Sequence, residues 1–387
     1  MKKIKRILSY LLVAVMASLL TLGLTYEPDA VPSKLEQLES LVLEKFIGEA
    51  DRTEIEDAAA DAMVSALGDR WSYYIPADEF AAYEEQMANA YVGIGITIQV
   101  AEDGSGFLII KVNEGGPADE AGLLPGDIIT EIEGRSMAGV DTGEARNLVR
   151  GKEGTQVQMA IWREGITKQV SVTRMEVRTP VATAELLDGG VGMITIANFD
   201  SRCADETIGA IEQLLDQGAR YLIFDVRFNP GGYASELVKV LDYLLPEGEL
   251  FRTVDYAGKE QVDTSDADCL KGIPMAVLVN GESYSAAEFF AACLQEFKWA
   301  TVVGERTTGK GHYQNTIRLS DGSAVNLSTG KYFTPSGANL TELGGLTPDV
   351  LAQVDKETAA NIYAQLVSTG EDPQIQAAVK FLQENKG

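Results

Sequence analysis

Three segments carry side chains whose types and spacing could do chemistry. The first is an apolar run, Val277-Leu-Val, that breaks into Asn280-Gly-Glu-Ser-Tyr and starts a helical pattern at Ser285-Ala-Ala-Glu288-Phe-Phe. A serine at such a strand-to-helix junction faces the positive end of the helix dipole, which favours an alkoxide or a nearby oxyanion. Ser285 followed by Glu288 also fits a capping box, so a hydroxyl that merely caps the helix is the alternative. The second segment holds Lys310 between Gly309 and Gly311, with Gln314 four positions on. A lysine flanked by glycines can sit in a surface turn, or it can be drawn inward. Drawn inward and desolvated, its amine becomes neutral enough to deprotonate a serine, and Gln314 could orient it without adding charge. The third is Asn229-Pro-Gly231-Gly232 after an apolar strand, where glycines let backbone amides approach a ligand closely, or simply make a tight turn.

Two other readings of these residues fail on chemistry. Gly304 to Lys310 has the G-x-x-x-x-G-K spacing, but Gly311 stands where a phosphate loop needs Ser or Thr for magnesium. His312 is the only histidine, and no acidic residue is placed to orient it as a base for Ser285, which leaves it a surface or supporting role. One histidine and three cysteines (Cys203, Cys269, Cys293) without C-x-x-C spacing give no metal site and no disulfide framework, and no cofactor is implied.

The elements that must position these residues are legible in outline. Residues 32–90 read as a helical lead-in, with Leu35, Leu38, Leu41, Val42 and Phe46 at helical spacing and further helices over 55–67 and 78–90. From Val92 short apolar runs alternate with glycine turns, which predicts a small β-rich domain over 91–176. Over 177–355 strands (192–196, 221–226, 275–279) alternate with helices (204–217, 235–245, 286–297), the pattern of an α/β core with crossover connections. Residues 250–270 are polar and read as irregular or cap-like. The amphipathic stretch within 356–387 could pack on the core or on another subunit.

At the amino terminus, residues 1–6 are a basic start holding Lys2, Lys3, Lys5 and Arg6, and residues 7–25 are uncharged and apolar, long enough to cross a bilayer as a helix. The positive flank places the start in the cytoplasm and the body outside. A cleaved signal peptide is the competing reading; no A-x-A-like site directly follows the run, which favours an uncleaved single-pass anchor in the cell membrane. Either way the body is exported. The 58 acidic against 32 basic residues, a formal net charge of −26, repel nucleic acid from most of the molecule.

The strings Asn280-G-E-S-Y-S-A-A-Glu288, Thr308-G-K-G-H-Y-Gln314 and Asp225-V-R-F-N-P-G-Gly232 resemble the signatures of the carboxyl-terminal processing (tail-specific) serine peptidases. Asp69-R-W-S-Y-Tyr74, Tyr332-F-T-P-S-Gly337 and Gly345-L-T-P-Asp349 extend the resemblance over most of the exported chain. It implies a crotonase-like α/β (α+β) core, with Ser285 as nucleophile, Lys310 as base and Gln314 orienting it. Amides of Ala286 and of Gly231 or Gly232 would then form the oxyanion hole. The β-rich domain resembles PDZ through Tyr91-V-G-I-G-Ile96 and Gly115-G-P-A-D-E-A-G-L-L-P-G-Asp127. That implies carboxyl-terminal tails of exported or membrane proteins as partners, held by amides across Val92, Gly93, Ile94, Gly95 and Ile96. A homodimer through the terminal helices, as in similar proteins, stays open, and the body belongs at a bacterial surface or in the periplasm. One departure is visible: Tyr284 stands beside the nucleophile where a small residue is usual.

Overall fold

The structure, a computed structural model, describes residues 33–87 and 90–384. It divides into two compact units, residues 1–68 and 69–387. In the described part of the first, α1 (Lys34–Lys45) starts at Ser33, whose hydroxyl accepts the Glu36 N–H while Glu36 accepts the Ser33 N–H. α2 (Arg52–Ser65) starts at Asp51, which accepts the Thr53 and Glu54 amides. Leu35, Leu38 and Leu41 keep 48%, 56% and 50% of their surface exposed, so here the helical spacing marks a helix without marking burial.

The second unit opens with a correction to the helical lead-in. β1 (Tyr73–Ile75) is a strand, pairing antiparallel with residues 324–326, and α3 (Phe80–Met87) follows it. β2 (Ala90–Gly93) then leads into the inserted domain: β3 (Ile96–Val100), β4 (Phe107–Val112), α4 (Pro117–Glu120), β5 (Ile128–Ile132), β6 (Arg135–Ser136), α5 (Thr142–Val149), β7 (Gln156–Arg163) and β8 (Ile166–Thr173). The sheet runs β3-β4-β5-β7-β8, with β6 on β5, and every pairing is antiparallel. Alternation buries Phe107 and Ile109 of β4 and Val157, Met159 and Ile161 of β7, and Ala145 and Val149 of α5 close the core over them. β9 (Met175–Arg178) leaves the domain beside β2, its antiparallel partner, so the insertion begins and ends at one place.

Beyond it, β10 (Ala182–Leu187) and β11 (Val191–Ile196) form an antiparallel pair, α6 (Cys203–Asp216) connects to β12 (Tyr221–Asp225), and α7 (Ala234–Leu244) follows. β13 (Gly248–Asp255) and β14 (Glu260–Ser265) form a hairpin where the sequence reads as irregular; β14 is polar because most of its residues face solvent. Next come β15 (Met275–Val279), α8 (Ala286–Glu296), β16 (Ala300–Gly304), β17 (His312–Arg318), β18 (Ala324–Phe333), α9 (Leu340–Leu343), β19 (Val350–Leu351), α10 (Lys356–Tyr363) and α11 (Pro373–Glu384).

Two sheets result. β11, β12, β15, β16 and β19 are parallel neighbours, and β12 and β15 are buried at every residue, as strands covered on both faces must be. On one face Leu222, Phe224, Val277 and Val279 meet α6, α7 and α8; on the other Ile223, Ala276 and Leu278 meet Ile375, Ala378 and Leu382 of α11. The closing stretch thus packs on the core. The second sheet, β1-β18-β13-β14 with β17 on β18, carries the lysine segment's exit strand. Among the described residues no helix is long and apolar enough to cross a membrane; the span expected at 7–25 lies outside them.

Candidate active site

Ligands of open parallel sheets gather beyond the carboxyl ends of the strands, and β12 and β15 both run into the candidate segments there. After β15 the turn is fixed by buried polar bonds. Asn280 Oδ1 accepts the Phe228 N–H at 2.9 Å, Ser283 Oγ donates to the Val226 carbonyl at 2.7 Å, and the Tyr284 N–H donates to the Asn229 carbonyl at 3.1 Å. The chain then turns sharply at Ser285, which holds φ 57° and ψ −124°, a strained backbone for a residue with a Cβ. Glu288 closes the expected cap, its carboxylate accepting the Ser285 N–H at 3.0 Å while its own N–H donates to the Ser285 carbonyl at 2.9 Å.

The glycine turn lies directly against this junction. Asn229, fully buried, donates to the Ile196 carbonyl and accepts the Gly231 N–H, both at 2.8 Å. Gly231 has φ 90°, and a Cβ there would stand 2.8 Å from both the Ala286 nitrogen and Ser285 Cβ. The Gly231 amide is therefore spent on Asn229, and its carbonyl accepts the Phe199 N–H at 2.8 Å. The Gly232 amide takes no part in the bonds that join this turn to Phe199. Ala286 carries the first amide of α8, one of those a helix leaves without an internal acceptor.

Lys310 arrives from β16 on a loop wrapped around Glu288. That buried carboxylate accepts the Thr307 hydroxyl and the Gly309 and Lys310 amides, the last two at 2.7 Å. The amides that a nucleotide phosphate would require are thus already taken. Burial pushes Glu288 above the usual carboxylate range in spite of these bonds. The Lys310 Nζ lies 4.4 Å from the Trp71 ring centroid and 5.5 Å from that of Tyr284. Desolvation brings its amine down to about 8, against the opposing pull of Asp69 and Glu288 and with help from Arg70.

Gln314 is placed otherwise than expected. Its Nε2 donates to the His312 carbonyl at 3.1 Å and to Ser328 Oγ at 3.0 Å, because a register shift between Tyr313 and Gln314 turns it onto β18. Among the described residues no hydrogen bond joins Lys310 Nζ to Ser285 or Gln314. His312 Nδ1 lies 3.4 Å from Thr341 Oγ1. No group of His, Cys, Asp and Glu among the described residues could hold a metal ion.

Sequence reasoning passed over Trp71 and Asp69 as members of this site. Asp69 accepts the Trp71 N–H at 3.2 Å and the Ser72 hydroxyl at 2.6 Å and is bonded by Ser328, which places it one step from Gln314. Burial opposes its charge, but these bonds outweigh it and hold the carboxyl below its usual range. The available signal was the string Asp69-R-W-S-Y-Tyr74 itself.

In the inserted domain a groove of about 270 Å³ runs between β3 and α5. Gly93, Ile94, Gly95 and Ile96 line it, whereas Val92 sits in the β2–β9 ladder opposite Glu176. Thr142, Arg146, Val149 and Arg150 complete it from α5 and its end.

Comparison with known proteins places these features. Residues 190–352 match the profile of peptidase family S41, and residues 108–163 match that of a PDZ domain. The chain is 30% identical over 366 residues to the carboxy-terminal processing protease CtpA of Bacillus subtilis, covering 91% of this chain and 78% of that protein. It is also 30% identical over 343 residues to a CtpA-like serine protease of Staphylococcus epidermidis, covering 88% and 69% respectively. A solved S41 protease structure from Bacteroides fragilis, 16% identical, superposes with a TM-score of 0.54 over 92% of this chain and 99% of that one, a likeness of fold.

Proposed function

From the premise that this chain belongs to peptidase family S41, among its carboxy-terminal processing serine proteases, we propose that it cuts polypeptides with a Ser285–Lys310 dyad after binding their carboxyl-terminal tails in its PDZ groove. The observation that carries this reading is the strained Ser285 at the start of α8, with the Lys310 loop clipped to the same helix turn by Glu288.

In the proposed reaction the neutral Lys310 amine takes the Ser285 proton as Oγ attacks the scissile carbonyl. The oxyanion is received by the amides of Ala286 and Gly232, with Gly231 shaping the space; the engagement of the Gly231 amide by Asn229 favours Gly232 as the second donor. Collapse breaks the C–N bond, the lysine ammonium protonates the leaving amine, and an ester on Ser285 remains. The amine, neutral again, deprotonates water, whose attack releases the acid and restores the hydroxyl. Among the described residues Lys310 Nζ makes no hydrogen bond to Ser285 as it lies against the Trp71 and Tyr284 rings, so the reaction requires its approach to Oγ, and Gln314 must turn from Ser328 to orient it. The same reading takes the core as crotonase-like. It also takes the basic start and the apolar residues 7–25 as a membrane anchor holding the catalytic body outside the cytoplasm.

The test is cleavage of an unfolded protein with an apolar carboxyl-terminal tail by the full chain, beside Ser285→Ala, Lys310→Ala and a substrate whose terminal carboxylate is amidated. Loss of cutting in both folded variants, and weakened cutting of the amidated tail, is expected. If Lys310→Ala still cuts, Lys310 is not the base; if the amidated tail is cut equally well, the groove does not select a free carboxylate.

A further inference from the structure

We propose that Trp71 and Tyr284 form an aromatic seat that holds the Lys310 ammonium in the resting protein, so that both are positioning residues for the reaction. This deepens the dyad reading above and rests on it. The two rings converge on one cation, their centroids 5.3 Å apart at 35° to each other, with Nζ at 4.4 and 5.5 Å. Tyr284 supplies the second wall where a small residue was expected, so the seat follows from this chain's own departure beside the nucleophile.

None of the charged groups around Lys310 forms an ion pair with it among the described residues, and its ammonium lies against the two rings. Glu288 of α8 is committed to Ser285, Thr307 and the loop amides. Asp69 is committed to Trp71, Ser72 and Ser328 and acts on Lys310 only through its field, as does His312 on Asp69 in turn. Arg70, whose guanidinium carbon lies 4.2 Å from the Trp71 centroid, repels the ammonium. A ring face attracts a cation and offers little to a neutral amine, so the seat favours the protonated lysine, the form that cannot serve as base. Leaving the seat and losing the proton are therefore coupled.

Two measurements test this. Tryptophan fluorescence of the full chain, titrated through pH 8, is compared between wild type and Lys310→Met, and pH profiles of kcat/KM are compared for wild type, Trp71→Leu, Tyr284→Leu and Tyr284→Phe. A fluorescence transition present in wild type and absent in Lys310→Met is expected. Trp71→Leu and Tyr284→Leu, which keep apolar bulk over the amine and remove the ring face, should move the acid limb to lower pH by roughly half a unit to one unit, the scale of a partly desolvated cation–π contact. Tyr284→Phe, which keeps the ring, should leave the limb in place. An unmoved or upward-moved limb, or a transition that persists in Lys310→Met, overturns the seat. The fluorescence comparison and Tyr284→Leu still decide the matter if Trp71→Leu does not fold. Cutting by Lys310→Met would instead overturn the dyad reading itself, a distinguishable failure.

Discussion

Glu288 holds Lys310 by its main chain and not by an ion pair: the carboxylate accepts the Lys310 N–H at 2.7 Å, while the ammonium lies on Trp71. One side chain thereby sets the distance between the serine turn and the lysine loop. Its Oε2 receives the Ser285 and Lys310 amides and its Oε1 the Gly309 amide and the Thr307 hydroxyl. Glu288→Gln would turn an NH2 toward one pair of these donors. Leaving buried donors unmet costs about 1–3 kcal/mol, so a lower melting temperature is expected, together with a fall in kcat larger than any change in KM. Unchanged kcat in the folded variant would show that the clip does not position the dyad.

The lysine's burial gives a signed pH dependence. With the amine brought down to about 8 from 10.5, roughly one molecule in ten carries the neutral base at pH 7, so kcat/KM should rise about tenfold per pH unit below 8 and level off above it. Stability follows the same group. Its folded value is depressed, so between about 8 and 10.5 the unfolded chain binds more protons; the group's contribution is present above 10.5 and lost as pH falls through 8. Lys310→Met should therefore be more stable than wild type at pH 7, by about 0.5–2 kcal/mol. Denaturation at pH 7 and at pH 10 checks this: the gap must narrow at the higher pH, and a gap independent of pH would refute the assignment.

Gly231 allows a sharper test of the oxyanion space. A methyl there would stand 2.8 Å from the Ala286 nitrogen, the donor proposed above for the oxyanion, on a backbone at φ 90°. Gly231→Ala is expected to reduce kcat by about a hundredfold or more in a protein that still folds. Wild-type turnover in the folded variant would mean the oxyanion lies elsewhere.

What could be read from the sequence was whatever depends on local order. The strand–turn–helix around Ser285, the buried run of β15 and the glycine turn after β12 are each announced by the local run of residue types, and the sequence located all three, although distant partners then fix the two turns. What escaped depends on partners distant in sequence. Trp71 meets Lys310 because β1 pairs with β18, a contact that no periodicity encodes. The direction of Gln314 depends on a one-residue register shift against β18, since a slip of one position changes which partner a side chain meets. The β13–β14 hairpin escaped because β14, the solvent-facing edge strand, carries too few apolar residues to announce itself.

Arg227 ties the carboxyl-terminal helix to the glycine turn, and removing it should be felt at both ends. Its guanidinium, buried, donates to Asp225 at 2.6 and 2.9 Å on one side and to Asp372 and Gln374 at 2.8 Å on the other. It immediately precedes Phe228, which has φ 59° and leads into Asn229 and the glycines. Arg227→Met would leave two buried carboxylates without their cation, a loss of about 3–5 kcal/mol. Asp372→Asn in the same background should then cost less than it does alone, because the charge it removes is no longer paired. Melting temperatures of the two single variants and the double variant give the coupling, and kcat reports whether the glycine turn has shifted. Strict additivity would show that α11 and the turn are held independently of this bridge.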